Sequence, residues 1–332
     1  MTVKHHFKVR FGFIFSVLLI VTAASAGAKD DDGMMLLGNM SSAANKLDYS
    51  GEFVYVKDGK ISSMKVAHIG ATADSSSQQK LMALDGSMRE IIQQDDIVAC
   101  VLPDQGMGLR ETRQAKALFK LDVADKLDSI ALHYTVRHQG KTRVANRDCE
   151  LVNVMPRDTY RYGYRLCADS ENQLLLSSEL LGQDGNVLES YQFVSVKFDK
   201  VEASEISSRT PPKTLNWMDD RAGNSNKETT SADEEIKWRI TENPAGFELE
   251  HYINRMSPVI QVNVTHLVLG DGLAQVSVFI SPLDASASQS ETSLSMGSLN
   301  SFTRKINEFM ITVVGEVPEE TVMLIAEHTE AY

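Results

Sequence analysis

Cys149 and Cys167 stand on either side of a Pro156-Arg157-Asp158-Thr159-Tyr160 turn, and they are the first residues whose types and spacing could do chemistry. Such a pair can close a disulfide, stay as two packed thiols, or join a metal site. The metal reading is the weakest, because no CxxC and no nearby histidine supplies four ligands. A turn centred on Asp158 sets positions 149 and 167 directly opposite each other. Opposed residues at a non-hydrogen-bonded antiparallel site have Cβ atoms about 4.5–5.5 Å apart. Strand twist can close that to disulfide length. Between turn and second cysteine runs Tyr160-Arg161-Tyr162-Gly163-Tyr164-Arg165-Leu166. Period two sets the tyrosines on one face and the arginines on the other. The bland reading is a packed tyrosine face backed by solvated arginines. The sharper one is a lipid or anion site, with Arg161 and Arg165 as forked donors to phosphate or carboxylate and Tyr162 and Tyr164 beside them.

Other chemistry finds little support. His133 and His138 are five apart, which suits neither one helical face nor one strand face, and His68 sits in a strand pattern. No GxSxG, HExxH, P-loop or GxGxxG occurs, and no carboxylate pair is tied to a base or nucleophile. Asp30-Asp31-Asp32 reads as a solvated charge run. The sequence therefore points to no catalytic residue, no metal and no cofactor.

The N-terminus sets the redox context. Lys4, Lys8 and Arg10 precede an apolar run from Phe11 to Ala24, and Ala24-Ser25-Ala26 offers a small-residue cleavage site. This is the pattern of a secretory signal peptide over 1–26, cut after Ala26. The run falls short of the roughly 20 residues a membrane-spanning helix needs. Export to a bacterial periplasm is expected, and a disulfide becomes the first reading of Cys149 and Cys167. Cys100, in Ile97-Val98-Ala99-Cys100-Val101-Leu102, reads as a buried strand thiol outside the pair. Cleavage removes three positive charges and no negative ones, so the formal charge goes from -12 to -15. An acidic surface argues against nucleic acid as a partner.

Met34 to Leu47 carries apolar residues at helical spacing. From Tyr49 the period drops to two, with hairpins expected about Asp58-Gly59, Asp85-Gly86, Gln94-Asp95-Asp96 and Asp184-Gly185. Ala115 to Leu132 is weakly helical, and the meander ends near Val201. These elements predict a long curved antiparallel sheet curled around helices. The periodicity then stops, and residues 206–235 read as a linker. Residues 236–329 predict a smaller α+β domain with strands at WRITENPAGFEL, PVIQVNVTHLVLGDGLAQVSVFIS and FMITVVGEV. Its last helix should start with Pro318 at N1. The serine-rich SPLDASASQSETS reads as a mobile loop.

Six stretches together resemble a known family, the periplasmic RseB/MucB regulators of the envelope-stress sigma factor. They are ALDGSMREIIQQDDIVACVLPDQG (83–106), RVANRDCELVNVMPRDTYRYGYRLCAD (143–169), LLGQDGNVLESYQF (180–193), NPAGFEL (243–249), GDGLAQVSVFIS (270–281) and ITVVGEVPEETVMLIAEH (311–328). The resemblance implies a LolA-like half-barrel over 27–205 with helices in its concavity, and an α+β domain after the linker. It implies binding to the periplasmic segment of a transmembrane anti-sigma factor of the RseA/MucA kind, protection of that segment from proteolysis, and release by lipopolysaccharide or lipid acyl chains. Partner contacts are expected around Gly270, Asp271, Gly272 and Phe309. A competing reading is a periplasmic lipid or lipoprotein carrier built on the same sheet, and another is an enzyme of unrecognised type. Self-association is left open by the sequence.

Overall fold

A computed structural model describes residues 27–94, 97–112, 123–219, 237–256, 262–283 and 291–332. The expected signal peptide, the expected linker from 220 to 235 and the centre of the serine-rich loop lie outside the described residues.

Helix α1 (Gly27–Lys46) opens the chain. Strands β1 (Tyr49–Lys57), β2 (Lys60–Ile69), β3 (Gln78–Ala83), β4 (Glu90–Gln94), β5 (Ile97–Leu102) and β6 (Met107–Thr112) follow as a meander. Helix α2 (Leu127–His133) precedes β7 (Tyr134–Val144), β8 (Arg147–Pro156), β9 (Gly163–Asp169), β10 (Leu175–Leu181) and β11 (Val187–Lys197). A short α3 (Ala203–Ile206) and β12 (Asn216–Asp219) complete this unit. Pairing of β1 with β11 fuses the two meanders into one twelve-stranded sheet, ordered β12-β6-β5-β4-β3-β2-β1-β11-β10-β9-β8-β7 and not closed into a barrel. The expected turns hold: Lys57 pairs with Lys60 across Asp58-Gly59, and Leu181 with Val187 across Asp184-Gly185.

Both faces of the β8–β10 region bury apolar side chains. On one, Leu36, Leu37 and Met40 of α1 and Ile130 of α2 pack on Val136, Val152, Val154 and Leu166. On the other, Cys149 and Cys167 join Tyr49, Phe53, Leu176 and Phe193. Period two along each strand makes this possible, since neighbouring residues serve opposite faces.

The remaining strands are β13 (Trp238–Ile240), β14 (Glu248–Met256), β15 (Asn263–Gly270), β16 (Gln275–Pro282), β17 (Thr292–Met296), β18 (Leu299–Ile306), β19 (Phe309–Gly315) and β20 (Thr329–Ala331), with α4 (Glu319–Glu327) before the last. A six-stranded antiparallel sheet runs β14-β15-β16-β19-β18-β17, and β13 pairs with β20. Val322, Ile325 and Ala326 of α4, at helical spacing and fully buried, pack on Val276, Val278, Ile311 and Val313.

Several expectations are corrected. The β8–β9 register differs by two residues: Val154 pairs with Tyr164 and Val152 with Leu166, so Cys149 faces Asp169 and Cys167 faces Leu151. The connection is longer than expected because Arg161 and Tyr162 leave the strand path for the small sheet. Cys149 and Cys167 are therefore diagonal neighbours, and right-handed twist brings their Cα atoms to 5.6 Å, where they form the disulfide. Cys100 lies in β5, half-buried rather than buried. Pro318 is the residue before α4, not its first turn. The serine-rich loop ends sooner than expected, because β17 starts at Thr292.

Residues 206–219, the described part of the expected linker, are tied to the large sheet. Lys80 Nζ donates to the Ser207 carbonyl at 2.7 Å, and the Ser208 hydroxyl donates to Glu90 at 2.6 Å. Strand β12 adds to β6 in parallel, with the Arg110 guanidinium 4.1 Å over the Trp217 ring.

Candidate functional site

The turn between β8 and β9 reaches the small sheet, and its centre is Arg161, whose side chain is 0% exposed. Asp158 shapes the turn by accepting the Tyr160 N–H and the Arg161 Nε, both at 3.0 Å. The guanidinium then crosses to the other unit. Its Nη1 donates to Asp271 Oδ2 at 2.8 Å and its Nη2 to the Ala245 carbonyl at 2.6 Å. The rings of Phe247 and Tyr134 flank it at 5.0 and 5.4 Å.

Asp271 follows β15 and is held by its own loop. Its Oδ1 accepts the N–H groups of Leu273 at 2.9 Å and Ala274 at 2.7 Å, leaving Oδ2 for Arg161 and for the Tyr134 hydroxyl at 2.8 Å. Burial, and then the nearby Asp271 charge, hold the Tyr134 phenol well above its usual pKa, so it stays a donor. Gly272 adopts φ +100, and a Cβ there would sit 3.1 Å from Lys126 Cβ. The same loop thus approaches the segment before α2, where Lys126 pairs with Glu250 of β14.

A second polar cluster lies where β11 meets the β17–β18 turn. Glu189 of β11 pairs with Lys57 and accepts from the hydroxyls of Tyr55 and buried Ser298. Burial, reinforced by the hydrogen bond to Glu189, holds the Tyr55 phenol above its ordinary range. Burial works to lower the Lys57 ammonium, but Glu189 and Glu316 outweigh it and raise its pKa. Between the clusters, Asn300 Nδ2 donates to the Tyr162 hydroxyl at 3.1 Å and the Thr321 hydroxyl to the Tyr160 carbonyl at 2.6 Å. Hydrogen-bonded, buried and charged across two sheets, this surface is a joint that holds the two units in one arrangement.

The structure thus brings Arg161, Tyr162, Asp271 and Gly272 together, although the sequence expectation divided them between an anion site and a partner site. In this arrangement Arg161 offers no donor to an external anion and Asp271 no acceptor to a partner, since their groups satisfy each other. Arg165 is apart, facing Glu179 with its side chain 42% exposed. Tyr164 packs with the α1 face of the sheet. Gly270 ends β15 opposite Gln275, and Phe309 meets Trp238 edge-on at 5.1 Å on β19. Sequence reasoning missed Tyr134, Glu189, Ser298 and Asn300, which carry no motif. Among the described residues no cluster of three or more potential ligands could hold a metal, and no helix is long and apolar enough to cross a membrane.

A family model described as the MucB/RseB N-terminal domain matches residues 32–215, and one described as the MucB/RseB C-terminal domain matches 232–330. The chain is 29% identical to the sigma factor AlgU regulatory protein MucB of Pseudomonas aeruginosa, over 94% of this chain and 93% of that one. It is 25% identical to the sigma-E factor regulatory protein RseB of Escherichia coli K12, over 93% of each. Among solved structures, the Pseudomonas aeruginosa MucA/MucB complex superposes with a TM-score of 0.71 at 26% identity, covering 90% of this chain and 99% of that chain. MucB in complex with MucA(peri) gives 0.69 at 27% identity, with the same coverage of both chains.

Proposed function

We propose one function for this chain, which belongs to the MucB/RseB family: binding the periplasmic segment of a transmembrane anti-sigma factor. The observation that carries this reading is the match of both family domains in order, together with similarity along almost the whole chain to a protein solved bound to MucA. In this reading the chain is exported, its signal peptide is removed after Ala26, and it works in the periplasm as a negative regulator of the sigma-E envelope-stress response. The two working units, expected at 27–205 and 236–329, are the twelve-stranded sheet, which β12 carries on to Asp219, and the six-stranded sheet. While bound, the protein shields the segment from proteolysis, and lipid or lipopolysaccharide releases it. A ligand shifts such an equilibrium only through its different affinity for the bound and free states.

The joint supports a regulatory role of this kind. It links the sheets through which a partner and a lipid would act by a buried Arg161–Asp271 pair flanked by the Phe247 and Tyr134 rings. Of the two arginines singled out in the sequence, Arg165 is the exposed one, with its guanidinium paired to Glu179. The test is co-purification of the mature chain with the periplasmic segment of its anti-sigma factor, with and without lipopolysaccharide. A complex that lipopolysaccharide dissociates is expected. A mature chain that never retains the segment would overturn the reading.

A further inference from the structure

Two anchors fasten the chain to the large sheet after α3, and neither is an ordinary ladder. At the first, Ile206 is fully buried against Ala67 and Ile92. The next residues are held by a buried charge pair. Lys80 Nζ donates to the Ser207 carbonyl and stands 3.2 Å from Glu90, with the two side chains 6% and 1% exposed. Glu90 in turn accepts the Ser208 hydroxyl at 2.6 Å and the Arg209 N–H at 3.3 Å.

At the second anchor, β12 lies beside β6 in the one parallel pairing among the described strands. The Asn216 N–H leads into it by donating to the Gly106 carbonyl at 2.8 Å. Trp217 faces Gly108, where an added Cβ would come 2.7 Å from the indole, so a missing side chain makes the seat. Arg110, two residues on along the same face, covers the ring at 4.1 Å. Between the anchors Arg209, Pro211, Lys213 and Thr214 are exposed.

Both anchors are built to part. Burying Lys80 and Glu90 costs hydration that their attraction little more than balances, and lifting the chain off returns that water. Parallel pairing is slightly weaker per residue than antiparallel, and β12 has only four residues. Strand β6 also pairs with β5 along its whole length, from Leu102↔Met107 to Ile97↔Thr112, so it does not depend on β12.

We propose that residues 207–219 are a releasable strap: seated, it keeps the tether between the two units short, and detached, it lets them part. Ile206 stays in the core as the fixed end. Ser207, extended at φ -63 and ψ 147 directly after α3, is the hinge. Detachment lengthens the tether by up to about 40 Å. Elements that switch are drawn from segments that open below the free energy of global unfolding, and the strap has their features: few apolar contacts and an exposed middle. The inference goes beyond the function proposed above and does not depend on which partner is bound.

The experiment follows hydrogen exchange in the wild-type mature chain, Trp217→Ala and Ser208→Ala. In the wild type, the amides of Arg209 and Asn216 should exchange together, at least tenfold faster than the slowest amides of β8. Each variant loosens one anchor. Trp217→Ala should speed exchange at the distant Arg209 at least tenfold, and Ser208→Ala should do the same at Asn216, with β8 unaffected. Trypsin should cut after Lys213 faster in the same order. In Gly272→Ala, where the joint itself is loosened, adding Trp217→Ala should enlarge the radius of gyration measured by small-angle scattering. Wild-type exchange at the pace of β8 would overturn the strap, since it would open only by global unfolding. Variants that speed exchange only at their own anchor would overturn it as a single unit. An unchanged radius in the double variant would overturn its hold on the two units.

Discussion

Arg161 Nη1 donates to Asp271 Oδ2 at 2.8 Å across 110 residues of sequence, with both side chains fully buried. Arg161 comes from a hairpin of the twelve-stranded sheet and Asp271 from a loop of the six-stranded one. Each charge depends on the other. A buried ion pair is weak evidence of net stability, but breaking one by removing a single partner costs about 3–5 kcal/mol.

Arg161→Ala should therefore destabilise the protein by about 3–5 kcal/mol, because Asp271 is left charged and buried. The double variant Arg161→Met with Asp271→Leu should recover most of that loss. Urea denaturation of the wild type and the two variants checks it. A single variant that unfolds at the wild-type midpoint would show that the pair does not join the sheets.

Gly272→Ala should also loosen the joint. Its backbone sits at φ +100, which an L side chain adopts at a cost of about 1–3 kcal/mol, and the added methyl meets Lys126. Thermal unfolding should fall by several degrees. Gly185→Ala, at φ +79 with open space around its Cβ, is the control that separates backbone strain from contact at the joint.

Replacing Cys149 and Cys167 by serine, or reducing them, should lower stability by about 3 kcal/mol, the value for a closed loop of about 15 residues. The two sulfurs are buried in the core with Phe53 and Phe193, so reduction should require unfolding first. Peptide mapping without reductant should join the peptides holding the two cysteines. Alkylation of both in the native exported protein would refute the bond.

Stability should fall on acidification through Asp169. Burial works against its charged form, but Arg147 and the N–H groups of Asn172 and Glu171 outweigh it and hold the pKa below the ordinary carboxylate value. A depressed native pKa contributes stability that is complete above the unfolded pKa, about 3.9, and is lost as pH falls through the native one. Asp169→Asn should flatten the stability profile below about pH 4. A variant with the wild-type acid limb would assign that limb to other groups.

The hairpins were legible because turn chemistry and period two are local. Asp58-Gly59 and Asp184-Gly185 name their own turns, and alternation between them names the strands. The β8–β9 register was not legible. Asp158 resembles a turn centre in sequence, but the connection lengthens because Arg161 and Tyr162 are drawn to partners on another sheet. The same limit hid β17, whose serine-rich strand looks like a loop until β18 pairs with it.

The sequence by itself determined the periodic elements, the nearness of the two cysteines and the family to which the chain belongs, since each is carried by residues close together or by stretches in order. Only the tertiary structure decided that Arg161 faces Asp271 instead of an external anion. A guanidinium takes whichever acceptors its surroundings bring, and here Asp271 comes from 110 positions away and the Ala245 carbonyl from 84.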